Sequence, residues 1–204
     1  MSAKLKIYGD AISGNCLKVK WTADRLGLDY DWIETSVLEG ETRTPEFLKM
    51  NPAGQVPTVV LPDGRVLAQS NAIIIYLNNV HKGGLLPEEP YAQGKVFEWL
   101  FWEQYSHETA IAVRRFHKHY LKKSEAEIDP KLMEKGAAAL TLMEGALEDG
   151  AYLVGDKLTL ADISLVAYTR LAHEGGFDLV PYPAIRQWIA RVERDLGINS
   201  AEAA

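Results

Sequence analysis

This chain has a single cysteine, Cys16, among its 204 residues. No disulfide can close within it, which excludes the stapled scaffolds of small secreted domains and fits a reducing compartment. It has no apolar run approaching the ~18 residues of a membrane-crossing helix. The opening MSAKLKIYGD lacks the apolar core of a secretory signal, so a cytosolic location is expected. Positive charge is in deficit: 22 Lys and Arg stand against 28 Asp and Glu, giving a net charge of −6. Its few basic clusters do not interleave with aromatics, which argues against a nucleic-acid partner. There is no internal repeat and no low-complexity segment. With 47% apolar and 25% charged residues, the composition is that of an ordinary globular protein of one or two domains.

The densest local signal runs from Asn51 to Ser70, NPAGQVPTVVLPDGRVLAQS. Asn51-Pro52 and Gly54 punctuate a loop, and Thr58 to Leu61 is a β-branched run. Pro62-Asp63-Gly64 turns a hairpin, and Val66 to Ala68 returns. Pro57 feeds the first of these strands, where a missing N–H costs the ladder nothing. Ser70 is placed to cap a helix over the apolar run Ala72 to Leu77. A peptide-like ligand could use two devices here. Were the Val56–Pro57 bond cis, Val56 could turn its backbone N–H and C=O outward as a short edge. Gln69-Ser70, at a helix N-terminus, could hold a carboxylate.

Upstream, Lys4 to Tyr8 alternates as a half-buried strand, and Gly9 to Asn15 is a loop. A helix follows from about Cys16, with Cys16, Val19, Ala23 and Leu26 on one face and Gly27 as its stop. Leu28 to Ile33 is a second strand, Leu38 to Arg43 a polar loop, and Pro45 to Leu48 a helical turn. The order β-α-β-α-β-β-α predicts a parallel first pair of strands and an antiparallel final hairpin. The pattern lapses between Asn78 and Pro90, and everything beyond is helical. Tyr91 to Tyr120 forms a long amphipathic pattern, a helix opens at Asp129-Pro130, and another spans Pro183 to Leu196. Thr159-Leu160-Ala161-Asp162 is a capping box with Leu158 and Ile163 as a hydrophobic staple, a folding signal rather than a site.

Together, Asn51-Pro52-x-Gly54-Gln55-Val56-Pro57, Gln69-Ser70, the Gly155/Thr159/Asp162 region and Ser13 resemble the glutathione transferases, over essentially the whole chain. The resemblance implies a thioredoxin-like glutathione-binding domain over residues 1–80, a linker over 81–90, and an all-helical domain over 91–204. It also implies a two-fold homodimer. Gly40 to Leu48 looks most like the phi and theta branches. Ser13-Gly14-Asn15 instead resembles the Thr-Pro-Asn stretch of bacterial relatives that reduce disulfides, the nu-like group.

What this implies for the site is specific. Gln55 and Val56 would hold the cysteinyl backbone of glutathione, with Pro57 as the family's cis proline. Gln69 and Ser70 would bind the γ-glutamyl carboxylate. Arg43 would meet the glycyl carboxylate, although relatives often carry a His-Lys pair where Thr42-Arg43 stands. Ser13 matches the family's catalytic serine and would donate to the sulfur, and Asn15 is its rival. Without the resemblance, Ser13 reads as a helix cap. Cys16, on the apolar face, reads as a buried small hydrophobe, and Tyr8 as core. The electrophile pocket, expected between domains, would draw on Ile12, Tyr105, His107 and Phe116. Phe116 also fits a core or interface stripe with Trp99 and Trp102. Glu103 or Gln104 would reach a dimer partner's glutamyl amine. His117 and His119, two apart on a helix, point away from each other, so no metal is expected.

The implied activity is conjugation of glutathione, as thiolate, to a small apolar electrophile. A glutathione-dependent disulfide reductase and a non-catalytic binding protein of the same fold are the alternatives.

Overall fold

The computed structural model describes residues 4–198; the outermost ends of both expected domains, residues 1–3 and 199–204, lie outside them. The chain divides into two compact units, residues 1–84 and residues 85–204.

The first unit is a four-stranded mixed sheet in the order β2-β1-β3-β4. Strand β1 (Leu5–Gly9) and β2 (Tyr30–Glu34) pair in parallel, with Ile7 opposite Trp32. The helix that crosses between them, α1 (Gly14–Arg25), is long enough to carry the chain back to the same end of the sheet. Strand β3 (Thr58–Val60) runs antiparallel to β1 and forms the hairpin with β4 (Val66–Ala68). A short helix, α2 (Pro45–Met50), precedes β3, and α3 (Ser70–His81) closes the unit. Ile7, Val19, Val59, Ile73 and Ile74 are fully buried, so sheet and helices share one apolar core.

Two boundaries differ from the sequence pattern. Helix α1 begins at Gly14, not near Cys16, so Asn15 belongs to its first turn. Helix α3 begins at Ser70 itself, with Gln69 in the capping position and no side-chain cap. The Ser70 hydroxyl is used elsewhere.

The second unit is helical. Residues Pro90 to Tyr120 form one continuous helical run, α4 (Pro90–Trp102) and α5 (Glu108–Arg115), each followed by a π-helical segment, Glu103–His107 and Phe116–Tyr120. Then come α6 (Lys131–Leu147), α7 (Leu160–Thr169) and α8 (Pro183–Leu196). Gly136, in mid-α6, has a packing reason. A Cβ there would lie 2.3 Å from the Phe177 ring.

Helix α7 is buried from end to end, and its N-terminus is organised by one carboxylate. Asp162 Oδ2 accepts from the Thr159 N–H and hydroxyl, both at 2.8 Å, completing the capping box. Its other oxygen accepts from the Leu153 N–H and from Trp188 Nε1, each at 2.9 Å. The capping box therefore also ties α8 and the preceding loop to α7. Replacing Asp162 by Ala strands these buried donors at about 1–3 kcal/mol apiece. D162A is expected to lose at least about 3 kcal/mol of stability in urea titration; a loss under 1 kcal/mol would contradict this role.

Candidate functional site

The loop ahead of β3 is built by Asn51. Its Nδ2 donates to the Gln55 carbonyl at 2.8 Å and to Thr58 Oγ1 at 3.0 Å, while its Oδ1 accepts from the Ala53 N–H at 3.1 Å. Thr58 Oγ1 donates to the same Gln55 carbonyl at 2.9 Å. An asparagine bonding its own backbone two and four residues on is the chemistry that makes such turns. Within this frame the Val56–Pro57 peptide bond is cis. The β-ladder begins only at Thr58, two residues after Val56. Gln55 is exposed, Val56 half-buried and Pro57 buried.

Arg43 lies on the outside of this loop. Its Nη1 sits 3.4 Å from the Ala53 carbonyl. At Gly54 (φ +61°) the backbone favours glycine, and a Cβ would fall 2.5 Å from the Arg43 guanidinium, which would have to shift.

Gln69 and Ser70 follow β4. Gln69 has φ +72° and ψ 112°, a conformation L-residues rarely hold, at a cost of order 1–3 kcal/mol. Strain of this size persists only where the surroundings impose it, and here it sits at the mouth of a helix N-terminus. Ser70 is buried, and its hydroxyl donates to Asn15 Oδ1 at 2.9 Å. That bond brings the N-termini of α1 and α3 to one place. Lys18 Nζ donates to the same oxygen at 2.7 Å. Lys18 is fully enclosed, and the sequence reading missed it.

Ser13 stands at the capping position of α1 (φ −86°, ψ 118°), but its side chain makes no cap hydrogen bond. The plain-cap reading of Ser13 therefore fails. The loop carrying it is anchored by two carboxylates. Asp10 accepts from the Ile12 N–H at 3.1 Å and the Val37 N–H at 2.8 Å. Glu34 accepts from the Ala11 N–H at 2.9 Å and Trp32 Nε1 at 2.7 Å. Cys16 is buried, and burial pushes its thiol up to about 12, with a hydrogen bond from Ser13 pulling the other way. It is the inert small hydrophobe its position suggested, not a nucleophile. Tyr8 is half-buried against the edge of Phe47, with ring centroids 6.2 Å apart.

Of the residues assigned to the electrophile pocket, Ile12 and Phe116 are half-buried and Tyr105 is exposed. His107 is not available to a ligand. It is fully buried in the helical unit, with Nε2 2.9 Å from Thr169 Oγ1. Glu103 is equally enclosed and accepts from Gln104 and from Ser164, so it reaches no partner chain. His117 and His119 are half-buried on the Phe116–Tyr120 segment, and His119 lies 3.9 Å from Glu174.

The first unit thus combines a mixed sheet, a cis-proline loop and two joined helix tips, and the second unit is helical. Residues 12–80 match the glutathione S-transferase N-terminal domain and residues 101–195 the C-terminal domain of the same family. The crystal structure of a glutathione S-transferase from Pseudomonas fluorescens is 44% identical. It covers 94% of this chain and 95% of its own, with a TM-score of 0.89. One from Xanthobacter autotrophicus is 43% identical over 93% and 92%, with a TM-score of 0.87. A Sulfitobacter homologue with bound glutathione shares the fold at 22% identity, over 100% and 96%, with a TM-score of 0.81. The chain belongs to the glutathione transferase family. No helix of its described residues is long and apolar enough to cross a membrane.

The Cys16 thiol sets a pH dependence. Its folded value lies above the ordinary value near 9, so folding favours the protonated thiol. That contribution is complete below pH 9 and is lost as pH rises from 9 toward 12, at ~1.4 kcal/mol per unit. Wild type is expected to lose stability faster than C16A across this interval in denaturant titrations; parallel curves would contradict it.

Proposed function

We propose that this chain is a glutathione transferase that holds glutathione as its thiolate and adds it to a small apolar electrophile. One observation carries this: the Asn15–Ser70 bond joins the α1 and α3 N-termini beside the cis-proline loop. The positive dipole ends of the two helices then converge, which favours an anionic peptide there.

In this reading Val56 pairs its backbone with the cysteinyl unit as a one-residue strand edge, Gln55 stands beside it, and Pro57 sets its direction. Gln69 and Ser70 take the γ-glutamyl carboxylate at the tip of α3. Arg43, held over the loop by Ala53, faces the glycyl carboxylate. Ser13 turns its hydroxyl from the Cys16 thiol to donate to the sulfur at the tip of α1. A free thiol near pKa 8.5 is mostly protonated at neutral pH. Lowering it by about two units is worth about 2.7 kcal/mol, which a hydroxyl donor and a helix terminus supply together. The thiolate attacks the electrophilic carbon; the C–S bond forms as the leaving group departs with its electron pair. Ile12, Tyr105 and Phe116 remain the residues assigned to the electrophile, and His107 drops out for the reason given above. Tyr91, Phe101 and Tyr105, each exposed by three quarters or more, support assembly with a second copy of the chain.

Disulfide reduction is the second reading. It is favoured by the placement of Asn15, whose side chain lies in the same junction as Ser70. Substitution separates the two. With a chlorinated nitroaromatic as acceptor, S13A is expected to lower kcat/KM up to about 100-fold at pH 7 and to raise the titration midpoint of bound glutathione. Unchanged turnover would remove Ser13 from the chemistry. Rapid turnover of a mixed disulfide with negligible conjugation would establish the second reading.

A further inference from the structure

Lys18 is the one fully enclosed lysine among the described residues. Lysine is among the residue types least often buried, because an ammonium gives up much hydration free energy when it leaves water. Its place is therefore informative. Lys18 lies three residues after Asn15 on α1, so both share one face of the helix. Its Nζ and the Ser70 hydroxyl donate to the same Asn15 oxygen, at 2.7 Å and 2.9 Å. Two lone pairs allow one carboxamide oxygen to serve both donors. With its oxygen held this way, the Asn15 nitrogen is turned away from both.

Ser70 has a single proton, and it is directed to Asn15. If Ser70 binds the γ-glutamyl carboxylate, as in the reading above, that proton is needed by the ligand. The hydroxyl must then rotate from Asn15 to the carboxylate. Turning away withdraws a donor from Asn15 Oδ1 in a partly buried junction, which opposes the rotation. With a second donor in place the oxygen stays paired throughout.

We propose that Lys18 is a positioning residue that releases the Ser70 proton to the ligand. Its ammonium holds Asn15 Oδ1 while the Ser70 hydroxyl turns to the γ-glutamyl carboxylate. Lys18 touches no ligand atom; it acts through Asn15 and Ser70. This inference rests on the glutathione reading of Ser70.

The test is a double-mutant cycle read by calorimetry. The variants K18M and S70A, singly and together, are titrated with S-methylglutathione, which keeps the carboxylates and lacks a free thiol. Met preserves the length of Lys and removes the donor. K18M is expected to weaken binding about tenfold with Ser70 present, and less than twofold in the S70A background. Equal losses in both backgrounds, or no loss in either, would overturn the proposal while leaving the glutathione reading intact. Failure of the wild type to bind would overturn that reading and this proposal with it.

If K18M does not fold, K18Q retains a donor and is expected to bind within about threefold of wild type. A folded K18Q that loses as much affinity as S70A would count against the proposal. Should neither variant fold, nitrogen NMR of the wild type serves. The Lys18 ammonium signal is expected to shift when S-methylglutathione is added, and an unmoved signal overturns the proposal.

Discussion

The hydrogen bond between Ser70 and Asn15 is the constraint on which the rest of the binding unit turns. It is a contact between residues 55 positions apart, and it exists only because the sheet brings the starts of α1 and α3 together. Each helix alone offers an ordinary N-terminus with a few free amides. Joined at their tips, they offer two positive ends and a serine at each. The mixed sheet has a clear function in this arrangement. The parallel β1–β2 pair makes α1 run back along the sheet, so α1 starts at the end where β1 finishes. The antiparallel hairpin delivers α3 beside it.

Around that bond the loops are held by side chains accepting from backbone amides. Asp10 and Glu34 fix the β1–α1 loop, and Asn51 fixes the turn before Pro57. These are short polar residues doing what they do well in irregular backbone, taking the place of a ladder. The strained Gln69 belongs to the same design. Its backbone is in a costly conformation, and the reward is the direction in which α3 starts.

Much of this was legible in the sequence, and the failures have physical reasons. Alternation and turn residues located all four strands, and the Thr159–Asp162 box was found by its spacing. Ser70 was misread as a cap because capping propensity is local, whereas its actual partner is on another helix. Lys18 was invisible because lysine in a helix is solvent-facing by default; only its spacing from Asn15 hinted otherwise. The cis bond could not be inferred from local composition and came with the resemblance alone. His107 was assigned to a ligand because it lies on a long helix rich in aromatics. The amphipathic pattern assumed a constant α period, and the Glu103–His107 segment breaks that period next to it.

That broken period reaches beyond a single histidine. An α-helix turns by about 100° per residue, and a π segment takes up one residue more than an α turn would. The two segments therefore act on the long helix as frameshifts act on a message. Each rotates every side chain that follows by roughly a quarter-turn without interrupting the rod. Removing one residue between Glu103 and His107 would restore a regular ladder and at the same time re-aim everything from Glu108 onward. In this stretch the number of residues is itself a constraint, separate from their identity.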